Sequence, residues 1–475
     1  MADYIDLPFI GAAYKGRSVD QNAQELVNWY PEVDNKSSKT PISLMPTPGA
    51  LAVKSVGAGS HRSSLEFKGK AYFVVGSELI EMDTNENYSS VGNLSTSAGN
   101  VSMASNGTQG DQLVLVDGTN GYLWDGATLS TITFGFSISP EFIVFIDSYF
   151  IVNDSNTGRF YRSAINDGTS WSALDFATAE RDPDNLRAII VNQRQLWLLG
   201  DVTTEVWGND GSDFKFSPIP NAFNEWGVVA PFSVAKADGS VFWITNNKEG
   251  EGFIARSEGY GPKIISTRAL EYILQTYSTL EDAVGYTYQQ AGHTFYVLNF
   301  TSANKTWVYD LSTDMWHERT STVNDTTGRH LGQTHLFFNK KHYIGSYSGG
   351  DLFTFDLDTY LDNGNPIKRK RITQHIAKER KRIRYYQLEL EFEGGVGLTS
   401  GQGSDPQVML SWSDDGGHTY SNKRYAPIGK KGEYGYRVLF HQLGSSRDRL
   451  WKLETSDPVK YVLIKATAKV TESKN

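Results

Sequence analysis

An all-β fold is predicted by three observations. Aromatic residues make up 13% of the chain, 45 glycines punctuate it, and short alternating apolar runs recur along most of its 475 residues. Aromatic side chains suit a pleated, half-buried surface, and glycine supplies the tight turns that many hairpins need. The recurring unit is clearest at 292–320, GHTFYVLNFTSANKTWVYDLSTDMWHERT. Two alternating runs, His293–Phe300 and Lys305–Leu311, flank a polar turn, and a third short segment follows around Trp316. That is an antiparallel meander of the kind that builds a β-propeller blade.

The chain divides into three parts. Residues 1–50 read as an extended arm, because Pro8, Pro31, Pro41, Pro46 and Pro48 interrupt any long element. The arm still carries Leu7, Phe9, Ile10, Trp29, Tyr30 and Leu44, so it is expected to lie along the folded body or a neighbouring subunit. Residues 51–365 read as the propeller. Its first strong strands are AYFVVG (71–76), QLVLVDG (112–118), YFIVND (149–154), QLWLLG (195–200), SVFWIT (240–245), HTFYVLNF (293–300) and HYIGSY (342–347), each followed by a second apolar run. Their spacing, roughly 37 to 53 residues, brackets propeller periods and predicts six or seven blades. Apolar residues on both faces of each meander force it to stack on the next, and closing the ring leaves no bare sheet. Near 266–285 the pattern changes to Leu270, Ile273, Leu274 and Tyr277, one face of a short helical insertion. Residues 366–475 hold runs at 385–393, 407–413, 434–443, 449–456 and 460–470 that predict a β-sandwich-like domain.

Composition narrows the function. Zero cysteines exclude disulfides and thiolate chemistry and suit folding in a reducing cytoplasm. No run approaches the length of a membrane span, and MADYIDLPFIG lacks the layout of a secretory leader. A net charge of -9 argues against a protein that grips nucleic acid over its whole surface. The exception is 368–384, KRKRITQHIAKERKRIR, with nine Lys or Arg and one Glu. From this stretch Lys368, Arg369, Lys370, Arg371, Lys381, Arg382 and Arg384, with Trp29 and Tyr30 of the arm, are the candidate partner-interface residues. The competing reading of the stretch is a solvated strand or linker that balances the acidic propeller.

No catalytic, cofactor or metal motif emerges. His330, His335 and His342 are close in sequence, but their spacing fits neither one helical face nor one strand face. Asp117, Asp154, Asp310 and Asp356 follow strands, as turn-forming aspartates do. Ser413, Asp415, Gly417, Thr419 and Tyr420 form a single Asp-box-like pattern. Glycan-binding propellers repeat such boxes, whereas one copy outside the propeller reads as a self-capped turn. A glycan-binding or glycan-cleaving receptor protein is therefore the alternative reading.

The ordered motifs NWYPE (28–32), PTPG (46–49), TRALEYIL, TWVYDLSTDMWHE, NGNPIKRKRI, SWSDDGGHTY and LFHQLGSSRDRLWKLETSDP give the chain a family likeness. It resembles the packaged-DNA stabilisation proteins, or tail hub (nozzle) proteins, of short-tailed bacteriophages. The resemblance implies a structural, non-enzymatic virion protein without cofactors, assembled in the host bacterial cytoplasm. It implies a homo-hexameric ring below the portal–adaptor complex, which extends and closes the DNA exit channel. Tail fibres or spikes and a plug or needle would dock on it, and genomic DNA would pass without sequence-specific contact.

Overall fold

Along each central strand, alternate residues serve two different interfaces. In Lys70–Val75, Tyr72 and Val74 pack with Leu113 and Leu115 of the following sheet, while Ala71, Phe73 and Val75 pack with Tyr343 and Leu352 of the preceding one. Leu113–Val116 repeats the arrangement, its even residues turning toward Ile143, Phe150 and Val152. Both faces of the strand are buried, so it reads as an unbroken apolar run. Each such side chain contributes about 1.5–3 kcal/mol by leaving water.

The computed structural model describes residues 3–34, 39–107, 110–179, 183–246, 250–323, 326–379 and 381–472. Among them, six contiguous four-stranded antiparallel meanders follow one another, at 61–93, 102–131, 140–178, 186–224, 235–264 and 283–323. A seventh sheet is made of Gly332–Phe338, Lys341–Ser346 and Asp351–Asp356, with Gly49–Ser55 as its fourth strand. Gly49–Ser55 pairs Ala50 with Phe355 and Ala52 with Phe353, then leads straight into His61–Phe67, the first strand of blade 1. The ring is thus closed by the N-terminal part of the chain. Gly49 is required there, because a Cβ would lie 2.4 Å from the Thr359 carbonyl.

The strands that read most strongly in the sequence, from AYFVVG to HYIGSY, are the second of each blade. A weaker strand precedes each and packs nearest the neighbouring blades. These inner strands pair only with the second strand of their own blade, and hydroxyls and other polar groups on them bond backbone groups of the adjoining blades. Ser64 Oγ donates to the His335 carbonyl (3.0 Å), joining blades 1 and 7. Ser102 Oγ donates to the Ile143 carbonyl and accepts from the Ile143 amide, joining blades 2 and 3. Lys236 Nζ reaches the Val191 carbonyl, and Thr287 Oγ1 the Lys236 carbonyl, each at 2.9 Å.

The C-terminal part is a sandwich of two sheets. One centres on Ile383–Phe392 and Leu463–Glu472, the other on Arg369–Ile372, Asp448–Thr455 and Gln407–Ser413. Leu388 and Leu390 face Val408, Leu410, Trp451 and Leu453 across its core. The first 50 residues are strands of both bodies. Asp3–Asp6 pairs with Leu463–Glu472, and Ile42–Pro46 meets it at Leu44↔Leu463. Ala23–Val27 pairs with Arg369–Ile372 and touches blade 6 through Val27↔Glu318, so one sheet runs from propeller into sandwich. The helix Arg268–Gln275 starts at Thr267, whose side chain accepts from the Leu270 amide, and buries Leu270 and Leu274. The run at 434–443 forms a strand only at Val438–His441, and residues 430–437 are exposed.

Blade 7 meets blade 1 where the His61 ring lies on Gly345; a Cβ at 345 would fall 2.2 Å from that ring. Gly345→Ala is therefore expected to destabilise the protein by about 1–3 kcal/mol through overpacking. A denaturant midpoint equal to that of the unsubstituted protein would remove this contact from the account of closure.

Candidate functional site

The basic segment splits by burial. Arg369 and Arg371 are only 1% and 0% exposed, because alternate residues of the strand Arg369–Ile372 point into the body. Arg371 donates to the carbonyls of Phe9 (2.6 Å) and Ala12 (3.0 Å) and to Gln24 Oε1 (2.7 Å). It fastens the N-terminal strands to the sandwich. Burial holds both guanidinium groups below the usual arginine range, yet well above neutrality. Trp29 and Tyr30 are also interior: Trp29 Nε1 donates to the Tyr461 carbonyl (2.8 Å), and Tyr30 packs edge-on against His293 and Phe295. These four candidates are structural residues, unavailable to a partner.

The remaining candidates are accessible. Lys370 is half-buried and paired with Glu25, while Lys368 is exposed, its Nζ 3.3 Å from Thr327 Oγ1. Lys381 pairs with Glu379 (2.7 Å) and Glu472 (3.7 Å). Arg382 and Arg384 are exposed, and Arg384 lies over the Tyr386 ring. Arg380 falls outside the described residues. Lys305, Lys368, Lys370 and Lys423 line a cleft of about 550 Å³ at the seam between blade 6 and the sandwich, together with Glu318 and Glu454.

The acidic residues singled out in the sequence serve turns. Asp117 accepts from the amides of Thr119 and Asn120, Asp154 from the Ser139 amide, and Asp356 from the Asp358 amide. Asp415 accepts from Ser413 Oγ (2.7 Å) and from the Thr419 amide and hydroxyl, while Ser413 Oγ accepts from the Gly417 amide. The Asp box spends its polar atoms on its own turn. Its neighbour Asp414 makes two hydrogen bonds, 2.6 and 2.7 Å, to Arg449, which is buried among Tyr385, Trp412 and Trp451.

The histidines do not converge as a set. His335 Nε2 and His342 Nδ1 meet at 3.0 Å, whereas His330 Nδ1 accepts from the Gly332 amide. Among the described residues, no group of three or more His, Cys, Asp or Glu could hold a metal ion. His293 was not singled out in the sequence. Its Nδ1–H donates to Asp310 and its Nε2–H to Glu32, each at 2.7 Å, tying strand Trp29–Val33 to blade 6. Burial opposes its charge, but the two carboxylates outweigh burial and raise it to about 9. Burial alone dominates at His61 and His317, which fall to about 4 and about 3. A second feature missed in the sequence is the exposed stretch KKGEYGYR (430–437), whose alternation imitates a strand.

A propeller continued by shared strands into a sandwich, with its singled-out polar residues engaged in turns and joints, defines a scaffold class. Over residues 5–360 the chain matches the family described as bacteriophage P22 Gp10, beta-propeller, and over 368–471 that described as bacteriophage P22 Gp10, beta-sandwich. The chain belongs to this family of phage structural proteins, as the motifs beginning at NWYPE implied. Among curated proteins none matches. Solved structures with a similar fold include virginiamycin B lyase from Staphylococcus aureus (11% identity, TM-score 0.44, covering 62% of this chain and 94% of that one). Another is the extracellular domain of the putative hybrid two-component system BT4673 from B. thetaiotaomicron (10% identity, TM-score 0.45, covering 85% and 56%). Likeness at this level carries no inference about activity.

Two outcomes test this arrangement. Replacing Arg371 with Met strands several buried carbonyls and is expected to cost about 3 kcal/mol or more, read as a shift in unfolding midpoint. Arg371→Lys, too short of donors for the fork, should recover little of it. The histidines set opposite pH limbs. His61 and His317 are neutral in the fold, so stability falls as pH drops from about 6.5, at up to ~1.4 kcal/mol per pH unit per proton. His293 contributes fully below about 6.5 and loses its contribution as pH rises through about 9. His293→Gln should flatten the alkaline limb while leaving the acid limb in place, measured by denaturation across pH.

Proposed function

We propose that this chain is a structural component of the virion tail. It assembles as a homo-hexameric ring below the portal–adaptor complex, extends the DNA exit channel and helps to close it. Tail fibres or spikes and a plug or needle dock on the ring, and assembly takes place in the host bacterial cytoplasm. The observation that carries this reading is the ordered match of both bodies, propeller then sandwich, to the P22 Gp10 family over nearly the whole chain.

The physical properties support a mechanical role. A ring uses one heterologous contact repeated until it closes, which requires a rigid subunit. Rigidity is supplied by strands such as Ala23–Val27 that belong to propeller and sandwich at once. DNA must also move past the subunits without sticking. Each phosphate neutralised by Lys or Arg adds affinity through counterion release, with a salt slope of about -0.9 per contact. Residues 1–367 hold 24 Lys and Arg against 42 Asp and Glu, net -18, and so offer DNA few such contacts.

Negative-stain microscopy of the full chain mixed with purified portal and adaptor tests the reading. A six-fold ring capping the adaptor is the expected result. Particles that assemble and retain their DNA when this chain is omitted would refute it.

A further inference from the structure

Two parts of the chain carry opposite charge. Residues 368–475 hold 21 Lys and Arg against 12 Asp and Glu, net +9. At the other extreme, residues 71–158 contain ten Asp or Glu and not one Lys or Arg. This cation-free stretch runs from the second strand of blade 1 to the second strand of blade 3. Cations from elsewhere reach part of it, Lys70 to Glu81, Lys341 to Glu86, Lys68 to Asp111 and Arg194 to Asp147. Asp125 is exposed and accepts from the amides of Ala127 and Thr128 in its own turn, and Glu78 has no cation against it among the described residues.

At the sandwich corner the reverse holds. Arg424–Pro427 and Val438–His441 are the terminal strands of the two sheets, and they lie side by side. Between them all of 430–437 is exposed. Tyr434 is 80%, Tyr425 64% and Tyr436 44% exposed. Such aromatic exposure on a folded body is unusual and marks a contact surface, particularly beside Arg and Lys. Two of these tyrosines lie against glycines. Gly395 leaves room for the Tyr434 ring, since a Cβ there would lie 2.6 Å from it, and Gly429 does the same for Tyr436. Arg437 is fixed by two bonds to Glu389, 2.7 and 2.6 Å. The Lys430 amide donates to Glu433 Oε2 (2.7 Å), whereas the Lys430 and Lys431 ammonium groups form no ion pair among the described residues. A tyrosine, with two side-chain torsions, presents large contact area at small entropic cost, and lysines without an ion pair beside it favour an acidic partner.

We propose that this corner, residues 423–441, docks on the acidic blades 1–3 of a second copy of this chain. The contact is heterologous, sandwich to propeller, so it repeats from subunit to subunit. The proposal rests on the ring reading above and identifies the two surfaces that would make its contact. Among the described residues no ion pair joins 423–441 to 71–158 within one chain; the lysine and arginine ion pairs of the corner are Lys423 with Glu454 and Arg437 with Glu389, so the complementarity is left to a second copy.

Isotopically light and heavy full-length chain, mixed at low salt, can be treated with a carbodiimide, which condenses a lysine amine with a carboxylate and releases water taken up by the reagent as its urea. Mass spectrometry is expected to find light–heavy amide links from Lys430 or Lys431 to carboxylates within 71–158, lost at high salt as screening shortens. The pair Lys430→Glu and Lys431→Glu, and separately Tyr434→Ala, should weaken association, followed by analytical ultracentrifugation, by about tenfold or more. Because 430–437 lies outside the strands, their unfolding midpoints should stay put. Links confined to one copy or to other surfaces, unaltered association in the variants, or a chain that stays monomeric at low salt would each overturn the proposal. Those results would leave the tail reading intact, since that reading is judged by portal–adaptor capping and by particles lacking the chain.

Discussion

Closure of the propeller depends on one strand, Gly49–Ser55, which completes the last blade and at once begins the first. A stack of sheets buried on both faces has no stable open form, because each end would present a bare apolar surface to water. Joining residue 50 to residue 355 spans most of the chain, yet loop-closure entropy grows only logarithmically with length. The gain is concentrated in the Val56, Phe73, Val75, Tyr343 and Leu352 cluster between blades 7 and 1. The same strand also sits beside Pro48, whose carbonyl accepts from the buried Arg319 at 2.6 Å, and beside Asp362, which accepts from the Ala50 amide. Closure and the start of the sandwich are therefore parts of one joint.

Asn28 shows how that joint is kept in register. It is buried and adopts a left-handed backbone, φ 56°, a conformation asparagine tolerates better than most residues. Its amide nitrogen donates to the Lys368 carbonyl (2.8 Å) and to Thr320 Oγ1 (2.9 Å), and its Oδ1 accepts from the Thr320 amide. One side chain thus links the N-terminal strands, blade 6 and the first residue of the basic segment. The Asn of NWYPE is legible in the sequence as part of a motif, but its role is geometric and appears only with the three partners around it.

What the sequence makes legible follows burial on two faces. The second and third strands of all seven sheets are recognisable because both of their faces are apolar. The inner strands are not, since Ser64, Ser102 and Thr287 are there to satisfy backbone groups of the next blade, and a hydroxyl in a short run looks like a turn. The charge run misleads in the opposite direction. KRKR at 368–371 suggests a solvated patch, whereas strand alternation sends Arg369 and Arg371 inward, where backbone carbonyls and aromatic rings receive them. Periodicity within the run was available as a signal, but charge outweighed it. In the run 434–443 the alternation of Tyr434 and Tyr436 predicts strand from its first residue, whereas Gly432 and Gly435 and the charged Lys430, Lys431 and Glu433 leave the chain exposed until Val438.

Four arginines, Arg319, Arg369, Arg371 and Arg449, are among the largest fully buried side chains, and all of them lie at the joint or in the sandwich. An apolar residue of similar volume would cost less to desolvate, and replacement of buried ion pairs by such residues is often neutral or stabilising. Stability alone therefore does not account for them. What a guanidinium adds is direction: its fork accepts only acceptors placed at fixed angles. Arg371 selects the carbonyls of Phe9 and Ala12, and Arg449 selects Asp414 and the Leu443 carbonyl (2.6 Å). Arg371 joins segments far apart in sequence, and Arg449 ties neighbouring strands of the sandwich, which hydrophobic contact alone would allow to slip by a residue. In the ring proposed above, where one surface repeats identically from subunit to subunit, a fixed angle between propeller and sandwich matters more than a few kcal/mol of stability. A one-residue slip in Ala23–Val27 would exchange the faces of that strand and break its register with both Arg369–Ile372 and blade 6.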